Sequence, residues 1–333
     1  MYSDKNKNYF LWPKPKKFSL FNFFKRTSAN DIEMIIQENW PNTFPVLFSS
    51  SRSSLTAILQ HLNLTRPDLV WCPPYSSHCL FDSIGRVATP ITESSDFIKA
   101  ALIYHQWGFS CTHQWNSKTT TIIEDSVDTM FLPKADIFSG SGRFVLQSLP
   151  KVYGCIFGGI VFCRTYEDYL ALVKIRNKRG SSVFQSFLRL ISPRIRSAYS
   201  YWHGAEALQG GLPNFARTHI YFMLKDLNKT INERLVLLGD VSSSLAKFAI
   251  KSGRVPSNLP LKVSHDIEQI YLSSEFICSG LRNFNINRSS PNNKWKVTAP
   301  LPLHIDIGYE DICMFLSELK KTSEVKDEFG FLQ

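Results

Sequence analysis

Residues 120–128 read Thr-Thr-Ile-Ile-Glu-Asp-Ser-Val-Asp. The β-branched run predicts a strand, and the acidic pair that stops it puts carboxylates at its carboxyl end. The same rhythm recurs on both sides. Residues 69–72 form a short apolar strand halted by Pro73-Pro74, and 79–87 read as a helix. Residues 101–104 are a strand ended by turn residues around Gly108. Residues 159–163 are a strand followed by a helical pattern over 166–176. Residues 31–39 and 53–62 read as further helices, the second entered through Ser49, Ser50 and Ser51. This alternation predicts the α/β class, with a mostly parallel sheet in a three-layer αβα domain.

The pattern changes later. Over 214–252 apolar residues recur at Ile220, Leu224, Leu227, Ile231, Leu235 and Leu238, the spacing of one long helix. Residues near Gly253, Pro256 and Pro260 interrupt it, and the remainder reads as a small α/β unit closed by an amphipathic helix over 309–320. The expected division is an arm at 1–30, a large domain at 31–245 and a small domain at 246–333. A length of 333 residues suits two domains.

Composition excludes several classes. With 44% hydrophobic and 20% charged residues the chain is neither disordered nor low-complexity. No apolar run approaches the roughly 20 residues of a membrane helix, and the start lacks a signal peptide's apolar core, so a cytoplasmic protein is expected. Seven cysteines at irregular spacing, with no CxxC, argue against a disulfide framework or zinc site.

The net charge is +10, and residues 1–30 concentrate it: Lys5, Lys7, Lys14, Lys16, Lys17, Lys25 and Arg26 stand against Asp4. Aromatic residues interleave with these cations. The arm is read as docking its aromatics on the domain with its lysines solvated. Weak contact with an anionic membrane surface is the alternative, and no nucleic-acid partner is expected. A second basic run, from Lys174, Arg176, Lys178 and Arg179 to Arg189, Arg194 and Arg196, is read as a solvated face that could also meet a ligand's phosphates.

In open parallel sheets ligands sit outside the carboxyl ends of the strands. There the chain carries Pro73 to His78, His105 to Gly108, Glu124 to Asp128, and Ser148-Leu149-Pro150-Lys151. The serine-rich entry at 49–54 could hold a phosphate on free helix N–H groups. Each signal is weak alone: an Asp after a strand is often a cap, and a Lys is usually a surface residue. Ser139-Gly140-Ser141-Gly142 lacks the Gly-Lys-Ser/Thr of a phosphate loop. His105 and Trp107 read as structural, and His304 as packing in the small domain.

In order, these stretches resemble the DegT/DnrJ/EryC1/StrS sugar aminotransferases, members of the fold-type I pyridoxal-phosphate (PLP) enzymes. The resemblance covers roughly 45–310. It rests on residues 48–55, 73–78, 103–108, Ile122-Ile-Glu-Asp125, Ser148-Leu-Pro-Lys151 with Gly158-Gly159, Asn214-Phe-Ala-Arg217 and Leu301-Pro-Leu-His304. It implies that Lys151 forms the Schiff base with PLP and that Asp125 pairs with the pyridine nitrogen. Ser51, Arg52, Ser53 and Ser148 would lie at the phosphate, and His78 on the ring face. Asn214 would reach the cofactor of a neighbouring subunit, which implies a homodimer with shared active sites. The implied reaction moves an amino group from an amino acid, glutamate or glutamine, to a nucleotide-linked keto-sugar.

The departures define an alternative, a catalytically impaired member of the fold acting as a binding or regulatory partner. The phosphate loop has Ser51-Arg52-Ser53 in place of a Gly-Thr or Gly-Ser step, and Asp128 stands where Gln or His is usual. A carboxylate beside the cofactor's phenolic oxygen would repel it unless protonated or turned away.

Overall fold

The structure, a computed structural model, describes residues 10–112, 115, 119–192, 195–263, 280–286 and 295–313. Residues 1–9 of the arm, Arg194, Cys278 and positions 314–320 of the closing helix lie outside the described residues.

A seven-stranded sheet forms the centre. Its strands are β1 (Phe44–Phe48), β2 (Leu69–Trp71), β3 (Thr89–Ile91), β4 (Ile98–Tyr104) and β5 (Thr121–Asp125). A short β6 (Met130–Phe131) stands outside it, and β7 (Phe144–Ser148) and β8 (Gly159–Cys163) complete it. The order is β1-β8-β7-β5-β4-β2-β3. The β7-β5, β5-β4, β4-β2 and β2-β3 pairs are parallel. Strand β8 runs against both β7 and β1, so 159–163 is the antiparallel member of a mostly parallel sheet.

Side chains alternate across the sheet, which is why both faces are covered. Val46, Phe48, Phe144 and Leu146 face one core with α2 (Ser51–His61), α3 (His78–Gly85) and α5 (Tyr166–Arg179). Leu47, Val145 and Phe162 face the other with α1 (Ala29–Asn39) and α8 (Asn214–Lys225). Each such buried side chain contributes on the order of 1.5–3 kcal/mol.

Caps set the helix starts. Ser28 and Asp31 exchange side-chain and backbone hydrogen bonds, so α1 opens at Ala29, two residues before its apolar pattern. Ser50 caps α2 by accepting from the Ser53 N–H.

The predicted long helix is three: α8, α9 (Leu227–Val241) and α10 (Ser243–Ser252). The breaks fall at Asp226 and Ser242, where φ/ψ of −101°/24° and −162°/122° leave the helical region. The apolar stripe continues across both breaks, so periodicity alone could not show them. Residue 245 lies inside α10. After it, β9 (Arg254–Val255) pairs with β6, and β10 (Asn258–Lys262), β11 (Arg282–Asn285) and β12 (Trp295–Pro302) form an antiparallel sheet ordered β10-β12-β11. Leu259, Phe284 and Leu301 join the same core as Ile36 and Ile220.

The basic run is a solvated face only in part: Lys174 and Lys178 are exposed. Arg176 is buried in an ion pair with Glu33, and Arg189 pairs with Glu206. Glu33 and Glu206 lie far away in sequence or in another helix, so the run reads as exposed from its own spacing alone. In the arm, Trp12 and Phe18 pack on the core, while Leu20, Phe21 and Phe24 are exposed. Among the described residues no helix is long and apolar enough to cross a membrane, and no group of three His, Cys, Asp or Glu could hold a metal.

Candidate active site

Strand direction decides which groups meet. Strands β2, β4, β5 and β7 share one direction, and β1, two antiparallel steps from β7, shares it too. The α2 entry, His78, His105, Asp125, Ser148 and Lys151 therefore all sit at one carboxyl edge of the sheet.

Asp125 ends β5 and is buried beside Asp128. Burial pushes the Asp125 carboxyl up to about 6, and the charge of Asp128 adds to this. Lys151 and the Val127 N–H pull the other way. Asp128 is raised by burial too, opposed by Lys151, by the Tyr104 hydroxyl at 2.5 Å and by the Trp107 N–H at 3.1 Å. Asp128 thus spends its oxygens on Tyr104 and the Trp107 backbone. Trp107 is held in the left-handed region (φ 55°), which an L-residue adopts only when its surroundings demand it.

Lys151 sits in the short α4 (Leu149–Tyr153), which leaves β7 through Ser148 and Pro150 and ends on the left-handed Gly154. Its Nζ lies 4.7 Å from the ring centre of Trp12 in the arm. The arm crosses from here to the 304–306 segment. Lys16 donates its N–H to the Gly154 carbonyl and its ammonium to Asp306, and His304 Nε2 bonds the Phe10 carbonyl at 2.8 Å. Lys151, Asp128, Arg234, Ser257 and His304 line a narrow cavity.

Glu124 faces a separate pocket. One oxygen accepts from Gly140 and Gly142 N–H; the other accepts from the Ser139 N–H and hydroxyl and from His105. His105 Nδ1 accepts the Cys111 N–H, which leaves Nε2–H to donate to Glu124. The Ser139-Gly140-Ser141-Gly142 loop is an anion cradle filled by the protein's own carboxylate.

The predicted phosphate residues divide. Ser51 opens α2, where its N–H and that of Arg52 are first-turn donors that the helix cannot pair. Gly159 allows β8 to lie directly against this turn: a Cβ there would sit 2.3 Å from the Ser51 nitrogen. Ser148 ends β7 opposite Gly159. Ser53 instead points inward to the Gln209 carbonyl, and Arg52 forms an ion pair with Glu206 and meets His203 at 2.7 Å. Asn214 is spent within its own chain, accepting from the Thr27 N–H at 3.0 Å and donating to the Lys25 carbonyl at 2.7 Å. His78 is exposed at the start of α3.

A family model described as "Putative PLP-dependent aminotransferase" matches residues 32–321. The chain belongs to this family of PLP-dependent aminotransferases. No curated protein sequence matches it. Among solved structures, the "Putative sugar aminotransferase Spr1654" of Streptococcus pneumoniae is similar at 13% identity and TM-score 0.58, over 92% of this chain and 96% of that one. NtdA of Bacillus subtilis, solved with bound PMP, is similar at 14% identity and TM-score 0.57, over 91% and 80%. The aminotransferase TlmJ of Streptoalloteichus hindustanus is similar at 13% identity and TM-score 0.55, over 89% and 91%. At these identities the likeness is one of fold: fold-type I, with a large, mostly parallel sheet.

The residues of this aminotransferase fit PLP. Two buried carboxyls face Lys151 as the opposing charge, a setting that a cationic ring nitrogen beside Asp125 would relieve. The α2 entry, backed by the close approach at Gly159, offers N–H groups to a phosphate. Sequence reasoning missed Trp12, Tyr104 and Arg234 here. Arg234 carried a signal: it falls three residues after Ile231 and four before Leu238, inside the apolar stripe of α9.

Proposed function

We propose that this enzyme is a sugar aminotransferase of the DegT/DnrJ/EryC1/StrS group, taking an amino group from glutamate or glutamine to a keto-sugar carried on a nucleotide. One observation carries the reading. Asp125 and Lys151 arrive from the neighbouring strands β5 and β7 at one edge of the sheet, where Lys151 is the opposing charge for the buried Asp125 and Asp128 carboxyls.

PLP, when bound, supplies an aldehyde that takes up amines and a ring that withdraws electrons. Asp125 would hold a proton on the ring nitrogen. Lys151 would hold the cofactor, and its amine would move a proton at the substrate carbon. Ser51, Ser148 and the first turn of α2 bind the phosphate, and His78 lies on the ring face. Asp128 holds Tyr104 and Trp107 in place. Trp12 excludes water from the outer side of Lys151.

The working unit is a homodimer. An exposed apolar face on α6 (Val183–Ile191), carrying Val183, Phe184 and Phe187, supports this, with Ile195 and Tyr201 beside it. Light scattering on the purified protein should give twice the chain mass.

The test of the reaction is the visible spectrum with PLP, followed by borohydride reduction and peptide mapping. A yellow protein with reduced cofactor on the Lys151 peptide is expected, and Lys151→Ala should abolish transamination. A colourless protein that ignores PLP, or an active Lys151→Ala enzyme, would overturn the reading.

A further inference from the structure

Residues 20–23 form one 3-10 turn in the arm, entered through Ser19. One side of this turn is fixed to the protein. Phe18 and Phe23 pack on Phe215 of α8 with ring centres 5.9 and 5.1 Å apart, and Asn22 is buried. Just beyond, the Lys25 carbonyl accepts from Asn214 Nδ2 at 2.7 Å and from the Thr218 hydroxyl at 3.0 Å. The Thr27 carbonyl accepts from Arg217 at 2.7 Å. Three polar residues of α8 thus hold the backbone of the arm. The other side of the turn is apolar and bare: Leu20, Phe21 and Phe24 are 75%, 79% and 83% exposed. Exposed Lys14, Lys17, Lys25 and Arg26 frame it, and residues 10–30 contain no Asp or Glu. Lys16, the remaining cation of the segment, is taken by Asp306.

Large apolar side chains held bare on a fixed turn mark a surface that something covers. Charge decides between the candidates. A second copy docked face to face would set Lys17, Lys25 and Arg26 against their own equivalents, and like charges repel. A bilayer with anionic lipid supplies both things the patch lacks: phosphates for the cations and, just beneath them, an acyl boundary for the rings. We propose that the turn at 20–24 seats the enzyme on an anionic phospholipid surface. Phe21 and Phe24 enter the acyl boundary. Lys17, Lys25 and Arg26 stay at the phosphates, with their stems along the apolar patch and their charged heads in water. So small an apolar patch gives reversible, peripheral contact. The proposal is independent of the reaction at Lys151.

The test is sedimentation of the full-length protein with vesicles of phosphatidylcholine alone and of phosphatidylcholine mixed with phosphatidylglycerol. Wild type should pellet with the anionic vesicles, stay in the supernatant with the neutral ones, and be released by salt. Phe21→Ser/Phe24→Ser should keep the wild-type Tm, because both rings are exposed. It should partition about 100-fold more weakly, roughly tenfold for each ring that no longer enters the acyl boundary. Lys17→Ser/Arg26→Ser should lose about 25-fold, at roughly fivefold per cation. Light scattering should give both variants the wild-type mass. Wild type that stays in the supernatant with both kinds of vesicle overturns the proposal. So does anionic-vesicle binding that Phe21→Ser/Phe24→Ser retains in full. A smaller mass for Phe21→Ser/Phe24→Ser than for wild type also overturns it, since a second copy would then be what covers the patch. If that variant does not fold, unchanged binding by Lys17→Ser/Arg26→Ser overturns it.

Discussion

Glu124 and Asp125 are adjacent in β5 and, because strand side chains alternate, face opposite layers. Both are buried. Burial pulls Glu124 upward, yet His105 and the Ser139 loop override it and hold the carboxyl down at about 2. Burial pushes Asp125 up to about 6, and the like charge of Asp128 adds to this. What differs is the supply of donors. A saturated buried group holds the fold, and an undersupplied one is open to something that is not part of the chain. Arg254 and Arg234 repeat the contrast with the sign reversed: Arg254 meets Ser126, the Ile137 carbonyl and Glu124, whereas neither Nη of the buried Arg234 has a hydrogen-bond partner.

The largest effect should come from the saturated side. Glu124→Ala leaves Arg254 and the Ser139 loop without their anion, and breaking a buried pair costs about 3–5 kcal/mol. Urea unfolding measures it, and a loss below about 1 kcal/mol would break the contrast. The wild-type contribution has a pH window. A carboxyl held below its ordinary 4.5 stabilises fully above that value and loses its contribution as pH falls towards about 2.

Asp125→Asn should behave in the opposite way. Apo stability should hold or rise, because a strained charge is removed. Transamination should fall about 100-fold, the scale of losing one fixed charge at the reacting centre. Parallel urea curves and donor-driven rates separate the two, and an unstable Asn variant would place Asp125 with Glu124.

Gly142→Ala probes the cradle more gently. A Cβ there would sit 2.4 Å from a Glu124 oxygen, so the loop or the carboxylate must move. About 2 kcal/mol of stability should be lost, with donor affinity unchanged in the folded fraction.

The placement of Asp125 and Lys151 at one edge of the sheet is legible because a strand end is a local signal and parallel strands bring such ends together. The acidic stop at Glu124-Asp125 did not reveal that its two carboxyls serve different layers, since their partners come from residues 104–107, 139–142 and 254. The sequence pattern does not mark strands β1 and β7. β1 is five residues with Pro45 inside it, and β7 follows a Ser-Gly-Ser-Gly loop that masks its entry. The motifs around Arg52 and Asn214 point to ligands, but the structure pairs both within the chain. Their partners, Glu206 and the 25–27 segment, lie more than 150 residues away, and no local pattern could give them.

The smallest effect is the one that isolates Asp125 without a substrate. Its folded pKa of about 6 lies above its ordinary 3.8, so the native state binds the extra proton. A raised acid contributes stability that is complete below 3.8 and is lost as pH rises through about 6. Between pH 7 and pH 5 the apo protein should therefore gain on the order of 1 kcal/mol from this group. Other groups also titrate there, so the measured quantity is the difference between wild type and Asp125→Asn in urea at the two pH values. The gain should be present in wild type, absent in Asp125→Asn and abolished by saturating PLP, whose ring nitrogen would supply the missing positive charge. Equal pH slopes in the two apo proteins would mean that Asp125 is as well served as Glu124, and the contrast between the two layers would then rest on Arg234 alone.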